Sequence, residues 1–425
     1  MKSVPRVSSE EHVSASWTAA RGLRVLAVSQ VPPWPTIGGG YHRAASQMRA
    51  LARATGVDVE LLLVRSDAPQ FVDFDGVRLV ADVVLPRANH RRMPGWRALK
   101  ALTSSQPVGI NPFIGSRLAI AAAELDLAAY DVHWVFRAEF ADVWPSSDVP
   151  LVVDIDDIES KKVLQGSNVL SADVSRWHRL IKRFTDTRNA RNWAEMQERV
   201  ARRANAHLVC APEDLQAIEA SSAFVVPNTI VTGARDTREP DIPSIAGRSM
   251  QRYVLLHGKL TYAPNADAAR WLVRQIAPVV WAADPDVRFH IAGKAPDSLV
   301  DELSTDPRIE FLGFVDDMFA LVSQAPVVVA PIRFGGGTRL KLIEGAAAGS
   351  PMIATTIGAE GLPFTDGTDI ILADEPSDFA KAILRLLDDS GLREKLGAAA
   401  HTTYREKMSQ DAVDESVQIV LESLR

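Results

Sequence analysis

Gly335, Gly336 and Gly337 stand in a row, and Thr338, Arg339, Lys341 and Glu344 follow. Glycines let backbone N–H groups approach a ligand with no Cβ in the way. An apolar run, "VVVAPI", precedes them, and a helix-like segment begins at about Thr338. The unpaired N–H groups and positive dipole end of that helix would face the same place. This combination suits phosphate, and Arg339 in the first turn would add a charge-assisted contact. Neither GxxxxGK[ST] nor GxGxxG spacing is present, so a phosphate cradle and a plain tight turn both stand as readings. Leu340, Ile343 and Ala347 mark the apolar stripe of the helix, and Glu344 lies on or beside it. An unpaired carboxylate facing a core costs several kcal/mol. Glu344 therefore either opens onto a crevice, where hydroxyl groups satisfy it, or pairs at the surface with Lys341.

These residues need a scaffold, and the chain has the length for two domains. It has 425 residues, and a single core rarely grows past about 250–300. Its hydrophobic content of 47% and charged content of 24% fit a globular protein. The net charge of −6 argues against a nucleic-acid binder. The single cysteine, Cys210, forms no internal disulfide and is compatible with a reducing compartment. Residues 1–21 are polar, lack the apolar centre of a secretion signal and read as a flexible lead-in. No apolar run reaches the roughly 18 residues of a membrane span. The expected location is the cytoplasm, with association at the inner face of a membrane left open.

Strand candidates alternate with helix-sized segments. "LRVLAVS" (Leu23–Ser29) leads through Gly38, Gly39 and Gly40 into a helix and then "DVELLLV", the opening of a doubly wound α/β domain. "DVHWVF", "PLVVDI", "AHLVCA" and "AFVVP" follow, with a long helix from about Ser171 to Asn205. The pattern dissolves over residues 229–251, which read as a linker. It restarts with "RYVLLHG", "VRFHIAG", "IEFLGF", "APVVVAPI" and "SPMIATT". The expected organisation is an N-terminal Rossmann-like domain over 22–228, a second over 252–406, and a last amphipathic helix over 407–425. No HExxH, EF-hand or Cys/His cluster is present, so no metal is expected.

The stretch "GGGTRLKLIEGAAAGSPMIATTIGAEGL" resembles the nucleotide-sugar site of family 4 retaining glycosyltransferases with the GT-B fold, in a branch bearing "GGGTRLK". "HGKLTYAPNADAARWL", "FHIAGKAPD" and "FVVPNTI" are similar to the same family in the expected order. The resemblance implies two Rossmann-like domains facing each other across a cleft. The second would hold a nucleoside-diphosphate sugar as donor substrate, with no cofactor, and the first a glycan, lipid-linked or small-molecule acceptor. Glu344 matches the glutamate that binds the ribose hydroxyls. Gly336 falls where the family has a glutamate on the sugar, so backbone N–H groups of Gly336, Gly337 and Thr338 would share that work. Lys259 matches a diphosphate-binding arginine. Pro264 sits in place of a lysine, so Arg339 or Lys341 would supply its charge. Gly39 and Gly40 would approach the diphosphate or the acceptor from the first domain.

Family members often carry a histidine after the strand matching "LVVDI", where this chain has "DIDDIES". Asp154, Asp156, Asp157 and Glu159 thus crowd one strand end, and such crowding raises carboxylate pKa values. Asp156 or Asp157 would position or deprotonate the acceptor hydroxyl, or these acids cap the next helix. Arg137 would pair with them or face the cleft. Arg339 and Lys259 complete the catalytic set. Basic segments with Trp96, Trp177, Phe184 and Trp193 would hold an anionic acceptor or touch lipid, or be core and solvated helix faces. The main expectation is sugar transfer with retention in cell-surface polysaccharide or glycolipid synthesis. The alternatives are a GT-B sugar-nucleotide 2-epimerase and a non-catalytic nucleotide-sugar binder.

Overall fold

A computed structural model describes residues 22–34, 39–65, 73–86, 104–108, 110–156, 159–160, 163, 176–216, 218, 222–233 and 252–425. The apolar runs form two sheets in which every pairing of strands is parallel. The first contains β1 (Leu23–Ser29), β2 (Val57–Arg65), β3 (Arg78–Val84), β4 (Val132–Phe136), β5 (Leu151–Asp156), β6 (Ala206–Val209) and β7 (Ala223–Val225), in the order β3-β2-β1-β4-β5-β6-β7. The second contains β8 (Tyr253–His257), β9 (Arg288–Ala292), β10 (Ile309–Gly313), β11 (Val328–Ala330), β12 (Met352–Ala354) and β13 (Ile371–Leu372), in the order β10-β9-β8-β11-β12-β13.

Strands buried on both faces need apolar residues at every position, and these have them. Along β1, Val25 and Ala27 enter one core cluster while Leu26 and Val28 enter the other. Along β8, Val254 and Leu256 alternate in the same way with Tyr253 and Leu255. The strand order reverses between β1 and β4, and again between β8 and β11. In an open parallel sheet, ligands collect at the carboxyl ends of the strands beside such a reversal.

Helix α1 (Gly39–Arg53) follows β1, and the long α4 (Arg176–Ala201) precedes β6; between them lie α2 (Ile114–Ala123) and α3 (Ala138–Ala141). After β8 the chain forms α5 (Ala263–Trp271), passes through a π-helical turn at Leu272–Ile276 and continues as α6 (Ala277–Ala283). Pro278 has no N–H to donate and its ring crowds the preceding turn, so the helix widens before it. Helix α7 (Leu340–Ala347) follows the glycines, and α8 (Ser390–Lys407) and α9 (Gln410–Ser423) close the chain. Val413, Val417, Val420 and Leu421 of α9 lie in one core with Met48 and Leu51 of α1. Gln410 also donates to the Ser46 carbonyl at 2.9 Å. The chain's end thus returns to the first sheet.

The two sheet domains meet around a cavity of about 220 Å³. Cys210, Pro227 and Asn228 line one side, and Thr338, Ile343 and Leu362 the other. The Thr229 and Tyr404 hydroxyls approach to 3.2 Å across the same junction. Residues 1–21 and most of 229–251 lie outside the described residues.

Candidate functional site

The glycine loop lies beyond the end of β11, next to the end of β8, at the reversal of the second sheet. Gly335 and Gly337 have φ of +111° and +86°, which other residues rarely adopt. A Cβ on Gly335 would stand 2.8 Å from Cγ of Pro264. Pro264, in the first turn of α5, is therefore a wall against which the loop lies. The sequence placed Arg339 in the first turn of a helix starting at Thr338. The structure corrects this: α7 starts at Leu340 and Arg339 is its cap residue. Buried to 9% exposure, the Arg339 guanidinium donates to the Gly335 and Gly337 carbonyls, and at 3.5 Å to that of Ile357.

That contact has a geometric consequence. In a planar trans peptide the N–H points opposite to the C=O. With the Gly335 and Gly337 carbonyls turned toward Arg339, the N–H groups of Gly336 and Thr338 point away from it. Neither they nor the N–H of Gly337 has a hydrogen-bond partner among the described residues. Arg339 thus shapes the loop with its guanidinium.

Lys341 and Glu344 do not form the surface pair that the sequence allowed. Lys341 is 6% exposed, and its ammonium donates to Asn265 Oδ1 at 2.9 Å. Burial, reinforced by the nearby Arg339 charge, lowers its pKa to about 7. The Glu344 side chain keeps 16% exposure, and Oε2 lies 3.4 Å from Nδ1 of His257. Burial raises its pKa to about 7, with Lys341 opposing the rise. His257, at the end of β8, is lowered to about 3 by burial and then by Lys341. It is neutral at pH 7, so its contact with Glu344 is a polar one and no salt bridge. Lys259 is exposed just beyond β8, and its side chain has no partner among the described residues. The site therefore gathers Lys259, Lys341, Glu344 and the outward N–H groups of the loop.

The first domain presents a different arrangement. Arg43 of α1, 3% exposed, chelates Asp154 of β5 through contacts of 2.6–3.0 Å and donates to Asn228 Oδ1 at 2.9 Å. Asp154 is buried, and burial raises its pKa, with the Asp156 charge adding and Arg43 opposing. The expected rise is thus present, with desolvation ahead of like-charge crowding as its cause. Asp156 ends β5 with φ +62°, its carboxylate 3.4 Å from Arg43. Arg137, between β4 and α3, has φ +81° and binds Glu139 at 2.8 Å and Glu159 at 3.3 Å. Asp157 and Gly38 lie outside the described residues. Gly39 and Gly40 are the first residues of α1, and a Cβ on Gly40 would meet nothing within 4 Å.

Residues 251–389 match the family model for glycosyl transferases group 1. The matched segment contains the whole site described for the second domain. A GDP-mannose-dependent monoacylated alpha-(1-6)-phosphatidylinositol monomannoside mannosyltransferase of Corynebacterium glutamicum is 28% identical over 158 residues, 34% of this chain and 42% of that one. A lipopolysaccharide core biosynthesis glycosyltransferase of Rhizobium meliloti is 30% identical over 122 residues, 28% of this chain and 35% of that one. These alignments span about two fifths of the relatives' length. The sucrose-phosphate synthase structure from Thermosynechococcus elongatus superposes with a TM-score of 0.65 at 17% identity, covering 94% of this chain and 99% of that one. The fold is GT-B, two Rossmann-like domains facing each other across a cleft.

Sequence reasoning missed His257, Asn265 and the Arg43–Asp154 pair. Asn265 stands next to Pro264, the position weighed for a missing lysine, and its polar side chain early in a helix was the available signal. Trp193 is buried in the core and Phe184 is 65% exposed. Trp96 and the side chain of Trp177 lie outside what is described. Among the described residues no helix is long and apolar enough to cross a membrane.

Proposed function

We propose that the chain transfers a sugar from a nucleoside-diphosphate sugar to an acceptor hydroxyl, keeping the anomeric configuration, in the synthesis of a cell-surface polysaccharide or glycolipid. The observation that carries this reading is the outward set of backbone N–H groups at Gly336–Thr338, shaped by Arg339 and set beside Lys341 and Lys259. When the glycosidic bond breaks, negative charge gathers on the leaving diphosphate. Fixed dipoles and cations aimed there favour the transition state over the ground state. Glu344, open at its tip and above its usual pKa, is placed to accept from ribose hydroxyls, which would restore its ionised form. Gly336 brings no side chain to the donor sugar, which leaves backbone groups to hold it.

On the first domain, Asp156 is the carboxylate we assign to orienting the acceptor hydroxyl. Its left-handed backbone and position at a strand end fit a strained functional residue. The names of the two relatives support the pathway class, since one is a GDP-mannose-dependent phosphatidylinositol monomannoside mannosyltransferase and the other a lipopolysaccharide core biosynthesis glycosyltransferase. The acceptor would be a glycan, a lipid-linked sugar or a small molecule, and peripheral membrane contact belongs to the same proposal.

The test is incubation with UDP-, GDP- and ADP-sugars, with and without mannoside, glucoside and inositol acceptors. Acceptor-dependent release of nucleoside diphosphate is expected, with proton NMR of the product showing the donor's anomeric configuration. Inverted product refutes retention. Donor isomerised without acceptor identifies a 2-epimerase, and tight binding without turnover identifies a binder.

A further inference from the structure

We propose that Asn265 is a positioning residue: it fixes the Lys341 ammonium beside Gly258 and Lys259 so that both cations meet one diphosphate. The inference rests on the nucleotide-sugar reading above. Lys341 is a buried ammonium whose one hydrogen bond among the described residues goes to a neutral amide oxygen. Among the described residues it forms no ion pair with a carboxylate. A buried charge with a neutral partner calls for an anion. Arg339, Lys259 and the loop N–H groups lie on the same side of the balance, and Glu344 offsets part of it.

The Asn265 amide has its orientation set from outside. Its Nδ2 donates to the Lys259 carbonyl at 3.0 Å, and its backbone N donates to Tyr262 at 3.1 Å. With Nδ2 turned to that carbonyl, Oδ1 takes the Lys341 ammonium. One amide thus joins the turn that carries Lys259 to a lysine 76 positions away. The space is reserved as well: a Cβ on Gly258 would stand 3.2 Å from Asn265 Nδ2 and 3.7 Å from Lys341 Nζ. An untethered lysine chain samples many rotamers, and ordering it on binding costs about 0.5–1.5 kcal/mol. Held by Asn265, it is ordered before the donor arrives.

The test is a double-mutant cycle on the full chain. Affinities for UDP, GDP and ADP are measured calorimetrically at pH 7.5 for wild type, Asn265→Ala, Lys341→Ala and the double variant. Asn265→Ala should weaken the bound nucleotide about tenfold in wild type and by no more than about twofold in the Lys341→Ala background. Equal losses in both backgrounds, or no loss in wild type, overturn the inference and leave the nucleotide-sugar reading standing. If none of the three nucleotides binds wild type, that reading falls and the inference with it. Should Asn265→Ala lose its thermal transition, the isosteric Asn265→Asp carries the test. Its added carboxylate should move the alkaline loss of affinity to higher pH by about one unit or more. An unmoved profile overturns the inference.

Discussion

Donor binding should have an asymmetric dependence on pH, because Lys341 and Glu344 both titrate at about 7 in the free site. The signs are opposite. Lys341 carries its charge below its pKa, so its attraction for a diphosphate is complete at low pH and is lost as pH rises. Glu344 carries its charge above its pKa, so its grip on hydroxyl groups is gained as pH rises. At about 4 Å and an effective dielectric of about 20, one phosphate charge stabilises the ammonium by about 4 kcal/mol. That lifts its pKa in the complex by about 3 units. Affinity should then fall about 50-fold from pH 7 to pH 9. On the acid side a protonated Glu344 still makes neutral hydrogen bonds, so the loss is about 1 kcal/mol, or about fivefold. The pair is coupled, so these limbs belong to both groups together. His257 is held neutral throughout.

The assay is calorimetric titration of UDP-glucose and GDP-mannose between pH 6 and pH 9, in two buffers of different ionisation heat. Nearly one proton should be taken up per donor bound at pH 8 and above. Lys341→Gln should flatten the alkaline limb and Glu344→Gln the acid limb. Equal affinity at pH 7 and pH 9, or an alkaline limb that survives Lys341→Gln, refutes the argument that a half-neutral buried lysine awaits an anion.

Three further outcomes are expected. Arg339→Ala should release the Gly335 and Gly337 carbonyls and lower kcat at least tenfold, with a smaller change in donor affinity; a pure affinity loss contradicts the loop-shaping role. Gly335→Ala forces a Cβ to 2.8 Å from Pro264 at a φ of +111°, and should destabilise the fold by about 1–3 kcal/mol in urea unfolding, where an unchanged midpoint disproves the close contact. Arg43→Met leaves Asp154 buried without its partner and should cost about 3–5 kcal/mol. A loss below about 1 kcal/mol in the same assay shows that water reaches the pair.

Much of the architecture was readable in advance because it depends on local pattern. "LRVLAVS" and "RYVLLHG" are apolar at successive positions, which only a strand covered on both faces tolerates. The helical stripe of Leu340, Ile343 and Ala347 marked a helix after the glycines, although its start was placed two residues early. The first residue of that helix depends on Arg339 folding back onto loop carbonyls, which spacing does not encode. The widened turn before Pro278 follows from proline chemistry. For Glu344 the cost of an unpaired charge against a core left a crevice and a surface pair with Lys341 both open, and the structure shows a partly exposed side chain beside His257. Lys341 stood both as that surface partner and as a cation for the diphosphate; it is buried and held by Asn265.

Taken alone, the order of residues determined two α/β units, the strands that build them, and a glycine-rich loop leading into a helix that carries Arg339, Lys341 and Glu344. Those features follow from periodicity and backbone freedom over short stretches of chain. Only the tertiary structure decided that Arg339 turns inward to its own loop, that Asn265 takes hold of Lys341, and that Arg43 locks Asp154 beneath the first domain's strand ends. Each of the last two joins residues tens of positions or more apart, where desolvation and charge are set by neighbours the local pattern does not name.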